Sequence, residues 1–134
     1  EMKPIGETEF ANGVAAMSAS GAYGKTRACA AIVSHADLTL GTKARAVLEA
    51  QIAAGNGRFR GIRHAAGWDE SPAIRNSHTN PPKGLYADKT FREGFAQLAP
   101  LGVSFEAWQY HPQLREVTDL ARAFPDTSII LNHC

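Results

Sequence analysis

Apolar, β-branched and aromatic residues gather along the chain in four short runs, residues 28–34 (ACAAIVS), 59–64 (FRGIRH), 103–109 (VSFEAWQ) and 128–133 (SIILNH). The stretches between them follow a helical period instead. Ala44, Val47, Leu48 and Ile52 recur on one face of a helix that Thr42 is placed to cap and that Gly55 and Gly57 stop. Phe91, Phe95 and Leu98 share a face behind Asp88, a second candidate cap, with Pro100 and Gly102 as breakers. Leu114, Val117, Leu120 and Phe124 do the same between Pro112 and Pro125. A further helix is expected over residues 10–20, ending near Gly21. Strand and helix alternate throughout, which predicts a parallel sheet covered by helices.

Successive runs begin 31, 44 and 25 residues apart, close to the roughly 30 residues of one βα unit. The long middle interval contains an insert, residues 65–86 (AAGWDESPAIRNSHTNPPKGLY), that has no clear period. Loops of that length inside a compact domain are commonly functional or disordered. This one leaves the C-terminal end of a strand, where α/β folds bind their ligands.

At 134 residues and 44% hydrophobic content the chain has the material for one real core. Fourteen basic against 13 acidic residues leave a net charge of +1, which offers no concentrated field for a phosphate backbone or an anionic lipid surface. Neither nucleic acid nor membrane is therefore an expected partner. No stretch has the length and apolarity of a membrane span and residues 1–10 lack the order of a signal peptide, so a cytoplasmic location is expected. Cys29 and Cys134 show no metal-ligand spacing, and Cys29 reads as a small buried apolar residue. No P-loop, GxGxxG or GxSxG motif is present.

The four runs end on residues that do chemistry: Ser34-His35-Ala36-Asp37, Arg63-His64, Gln109-Tyr110-His111 and Asn132-His133. In a parallel sheet these ends share one rim, so four histidines have the opportunity to meet at one cleft. Imidazole ligates a divalent cation or moves a proton near neutral pH, and a guanidinium grips a carboxylate or a developing oxyanion. Each residue also has a plainer reading. His35 and Asp37 serve equally as loop hydrogen-bonding and turn residues, Arg63 as half of an ion pair, His64 as a packed residue on the other pleat, and His111 as a helix-entry residue before Pro112. His133 is the foremost candidate, with Arg63, His64, Gln109, Trp68 and Ser34 as candidate substrate contacts.

Residues 59–69 (FRGIRHAAGWD), 103–114 (VSFEAWQYHPQL) and 128–133 (SIILNH), with GETEFANGVAAMSASG and CAAIVSHADL nearer the start, resemble the amidohydrolase-related family of TIM-barrel hydrolases, near its pyrone-dicarboxylate and sugar lactonases. The resemblance implies a partial (β/α)8 barrel of α/β class, about half a barrel and approximately strands three to six. It implies hydrolysis of a lactone or a related ester or amide bond, with His133 catalytic or metal-bound and Arg63 holding a substrate carboxylate. One divalent metal, zinc or manganese, accompanies that chemistry in some members. The chain has no HxH pair and no region for the family's terminal Asp. It thus reads as a single internal fragment, residues 1–134, inactive by itself and exposing edges that favour self-association into a homo-oligomer. A non-catalytic binding or structural module and a related decarboxylase are the competing readings.

Overall fold

The computed structural model describes residues 1–133, and Cys134 lies outside them. Helix α1 (Ile5–Ala19) leads into β1 (Ile32–His35), α2 (Ala44–Ala54), β2 (Phe59–Arg63), α3 (Lys89–Phe95), β3 (Ser104–Ala107), α4 (Leu114–Ala123) and β4 (Ile129–Leu131). The four strands form one sheet in the order β1-β2-β3-β4, and every neighbouring pair is parallel. The alternation of apolar runs and helical periods therefore carries the architecture.

Local differences have local causes. The first helix starts at Ile5 rather than near residue 10, because Pro4 precedes it with a helical φ of −64° and Glu7 lies in the positively polarised first turn. Thr42 is not the cap of α2. A 3₁₀ stretch, Leu38–Lys43, runs into that helix, and Asp37 caps the stretch by accepting from the Thr39 N–H at 2.9 Å. Asp88 does cap α3, accepting from the Phe91 N–H at 2.7 Å. Cys29 is only partly buried and has a left-handed φ of 50°, since pairing with β2 begins at Ile32 and the preceding residues stay outside the sheet.

The register decides which residues share a face. Ser34 pairs with Ile62, Ile62 with Phe105 and Phe105 with Ile129, and this row faces the helices. Ile62, Phe105 and Ala107 are wholly buried there with Phe91, Phe95, Leu98, Leu48 and Leu120. Phe105 meets Phe95 edge-on at 5.0 Å between ring centroids, and Tyr86 at 5.9 Å. Gly94 lets α3 lie against the backbone of Leu38, since a Cβ at that position would collide with the Leu38 carbonyl.

The opposite face carries a second row: His35 pairs with Arg63, Arg63 with Glu106 and Glu106 with Ile130. Next to it lie Val33, Gly61 and Ser104. Among the described residues no helix covers this side, and Val33 and Ile130 are 40% and 45% exposed. Parallel sheets are ordinarily covered on both faces, and the uncovered one here is the face a closed barrel turns inward.

Candidate active site

The row His35-Arg63-Glu106 lies at the C-terminal ends of β1, β2 and β3. The parallel pairing brings the three together although up to 71 residues separate them in sequence. Glu106 Oε2 accepts from Arg63 Nε at 3.0 Å and from Nη2 at 2.5 Å. Asn132 Nδ2, just beyond β4, donates to the same oxygen at 2.7 Å. The His35 imidazole adds a fourth strand end by donating from Nδ1 to the Arg63 carbonyl at 2.9 Å, which leaves its Nε2 as an acceptor when the ring is neutral. A polar row thus crosses all four strands on the helix-free face.

His133 follows Asn132 with a left-handed φ of 57°, and its ring stands edge-on to Trp108 at 6.3 Å. Trp108 in turn lies over Gly67, where a Cβ would come within 2.5 Å of the indole. Gln109 is half-buried, and its Oε1 is buried with no hydrogen-bond partner among the described residues. These residues occupy the same rim as Arg63 and Glu106.

Ser34 and His64 lie on the other pleat. Ser34 Oγ accepts from Gln51 Nε2 at 3.3 Å, while Gln51 Oε1 accepts from the Thr8 hydroxyl, so this group ties β1 to α2 and α1. His64 is 6% exposed and its Nδ1 accepts from the Leu38 N–H at 3.2 Å. Burial, reinforced by the neighbouring His35, pushes its pKa down to about 4 despite the opposing pull of Asp37. It is a neutral imidazole at physiological pH, 5.2 Å from His35 between ring centroids. His111 is exposed on the 3₁₀ turn His111–Gln113. His35 and His64 come from opposite pleats, yet at the strand ends their rings meet and line one cavity, whereas His111 and His133 lie elsewhere on the rim.

Trp68 belongs to the long loop after β2, which is pinned rather than loose. Ser77 N–H donates to the Gly67 carbonyl at 2.8 Å, the Thr79 hydroxyl to the Ala65 carbonyl at 2.9 Å, and the Tyr110 hydroxyl to the Arg75 carbonyl. Gln113 Oε1 receives the Trp68 N–H at 3.2 Å. Lys83 Nζ sits 5.1 Å from the Trp68 ring, and the two, with Gln113 and Glu116, line a cavity of about 390 Å³. Burial raises the pKa of the Glu116 carboxyl there.

A family profile described as "Amidohydrolase" matches residues 11–134. The chain belongs to the amidohydrolase family. Its four parallel strands with outer helices are accordingly part of a TIM barrel, and in this amidohydrolase the helix-free face is the barrel's inner wall. The chain is also 39% identical over 75 residues to "Uncharacterized protein y4mH" of Sinorhizobium fredii (strain NBRC 101917 / NGR234), a match covering 56% of this chain and 24% of that protein. The match thus spans about a quarter of the relative's length. No solved structure matches the chain. Among the described residues no helix is long and apolar enough to cross a membrane.

Among the described residues no three His, Cys, Asp or Glu side chains come together as a ligand group, so the residues present do not by themselves fit a metal and His133 has no partner ligand there. Glu106 is not among the sequence candidates, and Asn132 figures there only as a strand-end residue beside His133. The signal for Glu106 is the alternation Phe105-Glu106-Ala107, a carboxylate between two residues committed to the helix layer, which marks the opposite face.

Proposed function

We propose that this chain forms part of the active-site wall of a hydrolase that adds water to a lactone or a related carbonyl ester or amide. The polar row His35-Arg63-Glu106-Asn132 across the rim of a parallel amidohydrolase sheet carries this reading, because it holds the Arg63 guanidinium in place, with N–H groups to spare, at the C-terminal ends of the strands. The remaining N–H groups of Arg63 bind an oxygen of the substrate and hold the carbonyl in place, while Glu106 and Asn132 fix the guanidinium. His133, seated against Trp108, donates to the carbonyl oxygen as water attacks the carbonyl carbon. The C–O bond to the leaving oxygen then breaks, and that oxygen takes up the proton given up by the attacking water. Stabilising the developing oxyanion is the largest contribution such donors make.

The test is hydrolysis of a panel of sugar and dicarboxylate lactones by the full-length protein carrying His133→Ala or Arg63→Ala. Loss of one such donor lowers kcat by about a hundredfold or more, equivalent to roughly 3 kcal/mol. Rates within a few-fold of wild type for both variants overturn the reading.

A further inference from the structure

We infer that the Arg63–Glu106 pair makes this site select an uncharged, hydroxyl-bearing substrate over a carboxylate, with Glu106 as the residue that sets the preference. The inference deepens the hydrolase reading and rests on it for the role of this face, but its test does not require turnover.

Arg63 alone would be a carboxylate clamp: five N–H donors and a fixed positive charge. In this protein the guanidinium is already half used. Its Nε and one Nη2 hydrogen go to Glu106 Oε2, at 3.0 and 2.5 Å. Asn132 Nδ2 donates to that same oxygen at 2.7 Å and so holds the carboxylate from its far side. The pair is therefore close to neutral, and a substrate carboxylate on Arg63 would lie beside the like charge of Glu106, with no second cation in the row His35-Arg63-Glu106-Ile130 to offset it.

What remains is a mixed set of hydrogen-bonding groups. Two Nη1 hydrogens and one Nη2 hydrogen are still free to donate, and Glu106 Oε1 accepts no hydrogen bond among the described residues. Donors beside an acceptor complement a hydroxyl, which accepts and donates at once. A carboxylate only accepts, and would set its lone pairs against those of Oε1. The exposures agree with this division: the Arg63 side chain is 40% exposed and reachable, while Glu106 is 15% exposed and held. Glu106 acts on the substrate in two ways, directly through Oε1 and by setting the orientation and net charge of Arg63.

Calorimetric titration of the full-length protein with two probes that cannot be hydrolysed tests this: 1,5-anhydroglucitol, an uncharged cyclic polyol, and isophthalate, a planar dicarboxylate. The wild type is expected to bind the polyol about tenfold more tightly than isophthalate. Glu106→Gln removes the charge with little change of shape, and is expected to tighten isophthalate binding about tenfold. In an Arg63→Gln background the same substitution should tighten isophthalate binding by less, because no guanidinium is released to clamp the carboxylate. Isophthalate binding the wild type as well as the polyol does overturns the inference, as does failure of the wild type to bind either probe. An unchanged isophthalate affinity in a folded Glu106→Gln protein overturns it too. If that variant does not fold, the two wild-type titrations decide the matter. Selectivity without lactone hydrolysis would leave this inference standing and remove the hydrolase reading.

Discussion

On the helix-covered side of the sheet, Ile62, Phe105 and Ala107 are wholly buried among interlocking aromatic rings. On the other side, Val33 and Ile130 are nearly half exposed beside a row of charged and polar groups. Both faces come from the same strands, one residue out of phase. The covered face holds the fold together through area and shape, which do not depend on which strand supplies each atom. The open face holds an arrangement of hydrogen bonds whose partners come from four strand ends and whose use depends on charge. A single-residue change of register would exchange the two, so the pairing that fixes the core also fixes the site.

Truncation gives the largest contrast. Phe105→Ala on the covered face is expected to cost about 3–5 kcal/mol in urea denaturation, whereas Ile130→Ala on the open face should cost under about 1 kcal/mol. Equal losses would mean that the open face is covered in solution, and the comparison would fail.

Acid comes next. His64 is held neutral with a pKa of about 4, against an ordinary 6.5, so below pH 6.5 the unfolded chain binds a proton that the folded one refuses. Stability should fall as pH drops from about 6.5 to about 4, by on the order of 3 kcal/mol, and level off below. Asp37 adds to the acid-side loss. Burial tends to raise its carboxyl, but the Thr39 hydroxyl and N–H, with His64, hold it lowered, so its contribution also disappears as it protonates. Half-buried Glu116 works in the opposite direction, since its raised pKa makes acidification favourable. Melting temperatures between pH 7 and 4 should show the decline in the wild type and a flatter curve in His64→Gln. An unchanged curve would show that the covered face is not the seat of the pH sensitivity.

The smallest effect calibrates the ion pair on the open face. Arg45 and Glu49 form an exposed i,i+4 pair at 2.8 Å on α2, and Arg45→Ala should change stability by no more than about 0.5 kcal/mol in the same denaturation assay. A larger loss would show that exposed pairs in this protein are worth more than the contrast between its faces allows.

The covered face was legible because apolar spacing reports burial directly: Val47 and Leu48, Phe91 and Phe95, Val117 and Leu120 all pack where their period puts them. The open face was harder to read. Histidines at the ends of runs draw the eye, yet His64 is absorbed into packing and Ser34 into the Gln51 hydrogen bonds, because neighbouring positions on a strand point opposite ways. Arg63 stands on the open face, but its partner Glu106 lies 43 residues away, and only the register between β2 and β3 joins them. The long loop was recognisable as an insert, whereas its anchoring depends on backbone carbonyls that sequence does not display.

One feature of the sheet reaches beyond the residues it contains. Because every strand runs the same way and each follows its predecessor in space, growth at either margin is directional: a strand added beside β1 or β4 in the same sense must finish on the rim where Arg63, Glu106 and Asn132 already stand. Its last side chain is delivered to that rim by geometry alone. The architecture thus works as a template on which chemical groups accumulate at one end while the other end remains free to vary.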